Sequence, residues 1–344
     1  MKEYHPLREL ILCRFREFAR EPEVIFWVFG FPLLLAIGLG IAFRNQAQET
    51  VYVGVLEHRE APAVLEKLKA NGTIQAEVVP LDKADQALRL GKLALVLSPG
   101  DPVEYRYDPT RPDSLLARSL VDATLQKAAG RRDPILVTEK EITEPGARYI
   151  DFLIPGLLGM NLMSGGMWGI GFVIVEMRTK KLLKRMIATP MRRSDFMLAM
   201  FASRLVFMIT EVVLLLIFGR LAFGMIIQGS IAGIVMVAFI GCMSFAGVGL
   251  LVASRAQKVE TVSGLMNLVM LPMYVLSGVF FSAERFPQML QPFIQSLPLT
   301  ALNDSLRAVI LEGSSLASQA GEMTIMAAWG VAGYLLALRW FRWN

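Results

Sequence analysis

The sequence predicts an α-helical polytopic membrane protein with six transmembrane helices and a small α/β extracytoplasmic domain between helices 1 and 2. Three observations predict it. The 344 residues are 54% hydrophobic and only 19% charged, and the mean hydropathy is +0.48, a balance that belongs to chains buried in lipid. Six stretches, about residues 24–43, 152–175, 196–218, 231–253, 262–281 and 324–340, are apolar for long enough to cross a bilayer. Between the first two lies a hydrophilic insert in which strand-like and helix-like segments alternate.

Residues 1–23 come first. Leu7, Ile11, Phe15 and Phe18 recur at steps of three and four, with Arg8, Glu9, Arg16 and Glu17 between them. That pattern reads as an amphipathic interfacial helix. A soluble helix shows the same pattern, but a span begins at once, at 24–43. The mixed charges differ from the basic start of a cleavable signal. Residues 44–148 then form the α/β domain: strands over 51–56, 74–79, 93–97 and 103–107, and helices over 61–70, 82–90 and 114–129. Asn71-Gly72 and Gly91 stop two of the helices, and 108–112 (DPTRP) is a turn. The carboxylates there are scattered among basic residues, so a binding role and a purely structural one both stay open.

Residues 149–344 carry the other five spans. An even number puts both termini on one side, and the basic residues choose it. Lys2, Arg8, Arg14, Arg16 and Arg20 precede the first span. Arg178, Lys180, Lys181, Lys184, Arg185, Arg192 and Arg193 lie between the second and third, and Arg255 and Lys258 between the fourth and fifth. The opposite short loops hold only Arg220, Arg285 and Arg307. Both termini are therefore expected in the cytoplasm. The net charge of +5 is accounted for by this asymmetry and implies no nucleic acid.

Several chemistries find no residues. Cys13 and Cys242 are far apart in the chain, His5 and His58 have no cysteine pair beside them, and no metal-ligand spacing occurs. Gly91-Lys92 lacks the upstream glycine and following hydroxyl of a phosphate loop. No cofactor is expected on this chain, and no paired-carboxylate, His or Cys site supports a membrane enzyme.

Polar residues inside the spans are the next candidates. Glu211 lies well within the third span, and an intramembrane acid is a functional candidate by default. Arg204, two turns earlier on the same face, either pairs with it or snorkels to the surface. Structural pairing and a proton-coupled role both remain for Glu211. Asn161 and Asn267 are expected to hydrogen-bond between helices, and Gly165-x-x-x-Gly169 and Gly229-x-x-x-Gly233 to permit close packing. Pro272 is expected to kink the fifth span.

Two loop segments carry most of the functional signal. Residues 276–312 start as LSGVFFSAERFPQMLQPFIQSLPLTALNDSLR. A short apolar piece, 289–297, stops at Pro298, and a polar stretch, 303–307, follows. Residues 284–312 thus read as a re-entrant or interfacial segment. The second segment, 176–196, is EMRTKKLLKRMIATPMRRSDF. Leu182, Leu183, Met186 and Ile187 share a helical face flanked by Lys180, Lys181, Lys184 and Arg185, and Pro190 ends the helix. It is either a topology signal or a short helix that docks on a cytoplasmic partner.

Both segments closely resemble those of ABC-2 type transporter permeases, the membrane subunits of type-2 ATP-binding-cassette exporters. In that family SG-x-FF-P-x-E-x-x-P is followed by LP-x-T-x-x-x-D-x-x-R. Here Ser277, Gly278, Phe280, Phe281, Glu284, Pro287, Leu297, Pro298, Thr300, Asp304 and Arg307 match, with Ser282 in place of the proline. The family's inner loop is roughly E-x-x-x-x-G-T-L-x-x-L-x-x-(S/T)-P-x-x-R. Glu176, Leu183, Met186, Thr189, Pro190 and Arg193 fit it, while Lys181-Leu182 replaces the Gly-Thr. The start of span two, 149–156 (YIDFLIPG), belongs to the same resemblance.

The resemblance implies a multi-pass protein of the plasma (inner) membrane, joined to ABC ATPase subunits that hold ATP and Mg²⁺. It implies a second permease copy, as homodimer or heterodimer, surrounded by membrane lipid. Residues Glu176, Leu182, Leu183, Met186, Pro190 and Arg193 would couple to the ATPase. The cargo would be a hydrophobic or amphipathic compound, drug or lipid-like, moved outward. The alternative from another class is a membrane-anchored sensor or scaffold whose outer domain binds a ligand.

Overall fold

The computed structural model describes residues 6–43, 50–131, 135, 138, 148–182, 185 and 193–340. The chain divides into two compact units, Asn45–Glu141 and the combination of Met1–Arg44 with Ile142–Asn344.

The smaller unit is an α/β fold. Strands β1 (Val51–Leu56), β2 (Ile74–Val79), β3 (Leu95–Ser98) and β4 (Glu104–Tyr107) form one sheet in the order β2-β1-β3-β4. β1 is parallel to both neighbours, with Val51 opposite Ile74 and Val53 opposite Leu95, and β4 returns antiparallel to β3. A parallel centre must be covered on both faces. Accordingly Val51, Val53 and Val55 pack with Leu68, Ala117 and Val121 from α3 (Ala61–Lys69) and α5 (Pro112–Ala128). Leu56 and Val96 pack with Ala84 of α4 (Leu81–Arg89) on the other. The strands and helices fall where the alternating pattern put them.

The larger unit is helical. α1 (Pro6–Ala19) precedes α2 (Pro22–Ala42), α6 (Tyr149–Thr179), α7 (Arg193–Phe223), α8 (Ile231–Arg255) and α9 (Val259–Leu276). Two 3-10 turns lead into α10 (Gln291–Gln295) and α11 (Pro298–Leu311), and α12 (Ala320–Trp340) ends the described chain. Among the described residues six helices are long and apolar enough to cross a membrane, at the six places the hydropathy indicated. α6 is longer than its apolar stretch: it extends from Tyr149 to Thr179, roughly 46 Å at 1.5 Å per residue. Two membrane helices contain π-helical turns, Phe26–Gly30 in α2 and Met167–Phe172 in α6.

The core of this unit gathers around α6, α8 and α11. Leu153, Leu157, Leu162 and Met163 of α6 are fully buried, as are Val237 and Phe245 of α8 and Leu299, Leu302 and Ile310 of α11. α8 and α12 meet backbone to backbone, because a Cβ on Gly247 would come within 2.3 Å of the Gly330 oxygen. Leu34 and Ile41 of α2, Ile217 and Leu221 of α7, Leu268 and Leu271 of α9, and Leu335 and Leu338 of α12 point outward. Such an apolar exterior is what lipid requires.

Residues 298–311 differ from their sequence reading. They form a 14-residue helix, buried on most sides, that takes in the stretch 303–307 read as polar within the re-entrant or interfacial segment. Pro298 stands at the first helical turn, where its missing N–H is no loss. Leu299, Leu302, Leu306 and Ile310 then build one buried face. The apolar piece before it is the more exposed part, with Met289 and Phe293 outward. The Gly229 and Gly233 pair packs on this helix: a Cβ on Gly229 would lie 1.9 Å from the Val309 oxygen.

Candidate functional site

Three polar sites lie along the membrane unit, one near each end of α6 and one between.

The first adjoins α1. The aromatic rings of its apolar face pack on other helices: Phe15 and Phe18 lie 5.1 and 4.3 Å from Phe207 of α7, and Phe18 lies 5.9 Å from Phe29 of α2. Arg14 bonds Glu17 at 2.8 Å and reaches the Met200 sulfur at 2.9 Å. Beside them is a groove of about 840 Å³, lined by Cys13 and Arg16 of α1, Arg20 just after it, Met177 of α6, and Leu182 and Arg185. The groove therefore opens where the proposed coupling segment leaves α6. Glu176 bonds Lys180 at 2.7 Å. Lys180 caps the helix, and Lys181 takes φ +59°, the left-handed conformation usually filled by glycine. Lys181 is the position where the family pattern has its Gly. Leu183, Met186 and Pro190 lie outside the described residues, as does the side chain of Arg193, whose backbone opens α7.

The second site is buried between helices. Arg204 Nη1 and Nη2 donate to Glu211 Oε1 and Oε2 at 2.7 and 3.1 Å. The two side chains are 6% and 0% exposed, so snorkelling is not what Arg204 does. Gly165 makes room for the guanidinium: a Cβ there would lie 2.0 Å from Arg204 Nη2. The small-residue motif of α6 thus admits a side chain where it was expected to admit a helix. Asn161 meets another helix as expected. Its Nδ2 donates to the Val28 carbonyl at 2.8 Å. Val28 is four residues before Pro32, which has no N–H to offer it. Asn267 is exposed on α9 and makes no side-chain hydrogen bond among the described residues. α9 continues through Pro272.

The third site brings together motifs far apart in sequence. α9 ends at Leu276, and Gly278 follows with φ +70°. Past that end the backbone oxygens need donors, and other helices supply them. Asn303 Nδ2 donates to Ser277 O at 2.7 Å, and Tyr149 Oη to Phe280 O at 2.9 Å. Arg307 Nη2 donates to Gly278 O, and its Nε to Phe152 O at 3.3 Å. The Arg307 guanidinium stacks 3.7 Å from the Phe152 ring centre and lies 3.5 Å from Asp304. Arg148 holds buried Asp151 at 2.9 and 3.0 Å. Gly156 is needed because a Cβ would meet Val279 O at 2.4 Å. Ser277, Gly278, Phe280 and Arg307 are thus brought to 149–156. Glu284, Pro287 and Phe281 stay on the exposed rim, and Pro298 starts α11. Ser282, in the family's proline position, caps a 3-10 turn by accepting from Glu284 N–H at 3.3 Å.

The description "ABC-2 family transporter protein" matches residues 22–339. The chain belongs to this family. Relatives agree. It is 27% identical over 206 residues to ABC transporter G family member 20 of Dictyostelium discoideum, covering 58% of this chain and 28% of that protein. It is 22% identical over 173 residues to the inner membrane transport permease YhhJ of Escherichia coli, covering 50% and 46%. The same figures hold for YhhJ of Shigella flexneri. The chain thus matches less than half the length of these relatives. Family membership makes it a membrane component of the ABC-2 transporter family. Among the described residues no cluster of His, Cys, Asp or Glu is placed to hold a metal ion.

Sequence reasoning missed two features of these sites. Tyr149 and Asn303 gave no signal as donors to the end of α9. Arg178, counted only among the basic loop residues, donates its Nη1 to Ala253 O at 3.3 Å and Ala256 O at 2.8 Å.

Proposed function

We propose that this chain is the permease subunit of an ATP-driven exporter that moves a hydrophobic or amphipathic compound out of the cytoplasm. Both termini lie in the cytoplasm and the α/β domain outside. The observation that carries the reading is at one end of α6: the groove beside α1 is lined by Leu182 and Arg185 of the segment resembling the family's coupling loop, whose start is held by the Glu176–Lys180 pair. ATP and Mg²⁺ sit on the separate ATPase subunit, and 176–196 seats in a groove of that subunit. A large apolar side chain contributes roughly 1.5–3 kcal/mol when fully buried, so Leu183 and Met186 together anchor the contact. The basic flanks steer the encounter.

A second permease copy completes the path. Asn267 supports this, since an exposed amide midway along an apolar helix needs a partner that lipid does not provide. The test is the double substitution Leu183→Asp with Met186→Asp. The variant inserts with its six spans intact, releases the ATPase subunit on purification and loses stimulated ATP hydrolysis. A double variant that keeps its ATPase and its turnover would reduce this loop to a topology signal.

A further inference from the structure

α6 is not a uniform rod. It runs from the Arg307 cluster at Tyr149 to the coupling segment at Thr179, and Met167–Phe172 interrupts it with a π-helical turn. Such a turn breaks the regular hydrogen-bond ladder and is a place where helices bend. A push delivered at Thr179 is therefore absorbed partly in the middle of α6. α8 runs alongside without interruption from Ile231 to Arg255. It packs on α11 through Leu302, which fills the space over Gly241, and on α12 through Gly247. α8 is thus the stiffer route between the two ends.

Apolar side chains such as Ile174 and Leu250 pack the two helices together at the coupling end, and a hydrogen-bonded one joins them there. Arg178, in the last turn of α6, donates to the oxygens of Ala253 and Ala256 at the C-terminus of α8. Those oxygens have no donor within α8, and a cation is favoured at that end of the helix. We infer that Arg178 is a positioning residue that carries displacement of the ATPase-facing segment past the π-turn of α6 into α8. The inference rests on the reading of 176–196 as that segment.

The link is tested in the assembled permease–ATPase complex in nanodiscs, with Cys13→Ser removing the exposed native thiol. Nitroxides at Lys180→Cys and Gln257→Cys report the spacing of the two helix ends, since both positions are exposed. A second pair, position 180 to the ATPase subunit, reports whether nucleotide moves the segment at all. In the otherwise native chain the 180–257 distance stays fixed between nucleotide-free and ATP-bound states while the second distance changes. In Arg178→Ala the 180–257 distance becomes nucleotide-dependent, shifting on the order of 5 Å, one helical turn. Arg178→Lys, which keeps a cationic donor, restores part of the fixed spacing. A fold defect alone would alter the distances equally in both states. If Arg178→Ala and Arg178→Lys keep the native fixed spacing while the second pair responds, the link is wrong and the coupling reading stands. If the second pair does not respond in the native chain, the coupling reading falls and takes the link with it.

Discussion

The Arg204–Glu211 pair gives the sharpest stability test. The apolar part of α7 spans Leu198–Phe223, 26 residues, about 39 Å at 1.5 Å per residue, which puts Glu211 about 20 Å from its start. The carboxylate accepts both Arg204 bonds, at 2.7 and 3.1 Å, in a site closed to solvent. Glu211→Gln keeps the shape and one acceptor but removes the compensating charge. Breaking one partner of a buried pair costs about 3–5 kcal/mol, and an unpaired arginine mid-membrane costs about 2.5–3.5 kcal/mol on insertion scales. The two figures agree, so Glu211→Gln should lose about 3–4 kcal/mol. Arg204→Met with Glu211→Leu removes both charges and should stay within roughly 1–2 kcal/mol of the native protein. Thermal unfolding in nanodiscs reads both. A double variant as unstable as Glu211→Gln would show that the loss was packing and not charge. A Glu211→Gln variant that melts like the native protein, while ATP-driven turnover loses its pH dependence, would refute structural pairing and favour a proton route.

Three further outcomes follow from particular contacts. Asn161→Leu should cost about 0.6–1.7 kcal/mol, the range for one hydrogen bond between membrane helices, and Pro32→Ala should recover it by giving Val28 O a backbone donor; no recovery in unfolding experiments would disprove the pairing of these two residues. Lys181→Gly should relieve about 1–2 kcal/mol of left-handed backbone strain and reduce proteolysis just after α6; faster cleavage would count against that conformation. For topology, Gly72→Cys, whose site has open space, should react with an impermeant thiol reagent on intact cells, and Lys180→Cys should not, both in a Cys13→Ser background. The reverse pattern would overturn the proposed orientation.

The sequence made some of this legible and hid the rest for identifiable reasons. Span number and the small domain's alternation depend on local composition, which a single chain displays. The Arg204–Glu211 contact was half legible: a seven-residue spacing puts both side chains on one face, but whether Arg204 turned inward depended on Gly165 of another helix. Asn267 could not be placed from sequence because helix periodicity does not say which face a single chain leaves open. Residues 303–307 misled because Asn303, Asp304 and Arg307 look like a surface stretch. Two of them are there to meet oxygens at the end of α9, and the helix face beside them is buried. Arg178 sits in a run of cations, where nothing local separates a helix-capping guanidinium from a topology signal.

A common rule connects these hidden contacts. Asn161 serves the carbonyl that Pro32 leaves without a donor, Asn303, Arg307 and Tyr149 serve the end of α9, and Arg178 serves the end of α8. Trp329 of α12 serves Ser296 O, just past α10, at 2.8 Å. Each donor meets backbone that its own helix cannot satisfy and that lipid would not. Apolar packing in a bilayer gives little preference for one sliding register over another, because lipid tails are as apolar as leucine. A donor fixed to a helix end removes that freedom. The placement of these donors therefore marks what is held together: α9 is tied at its Ser277 end to α6 and α11. Its Val259 end lies across a short turn from the end of α8 that Arg178 grips. Under the proposed coupling, motion entering at Thr179 would meet tied joints at both ends of the bundle, and the helix faces left free to slide are those that point outward.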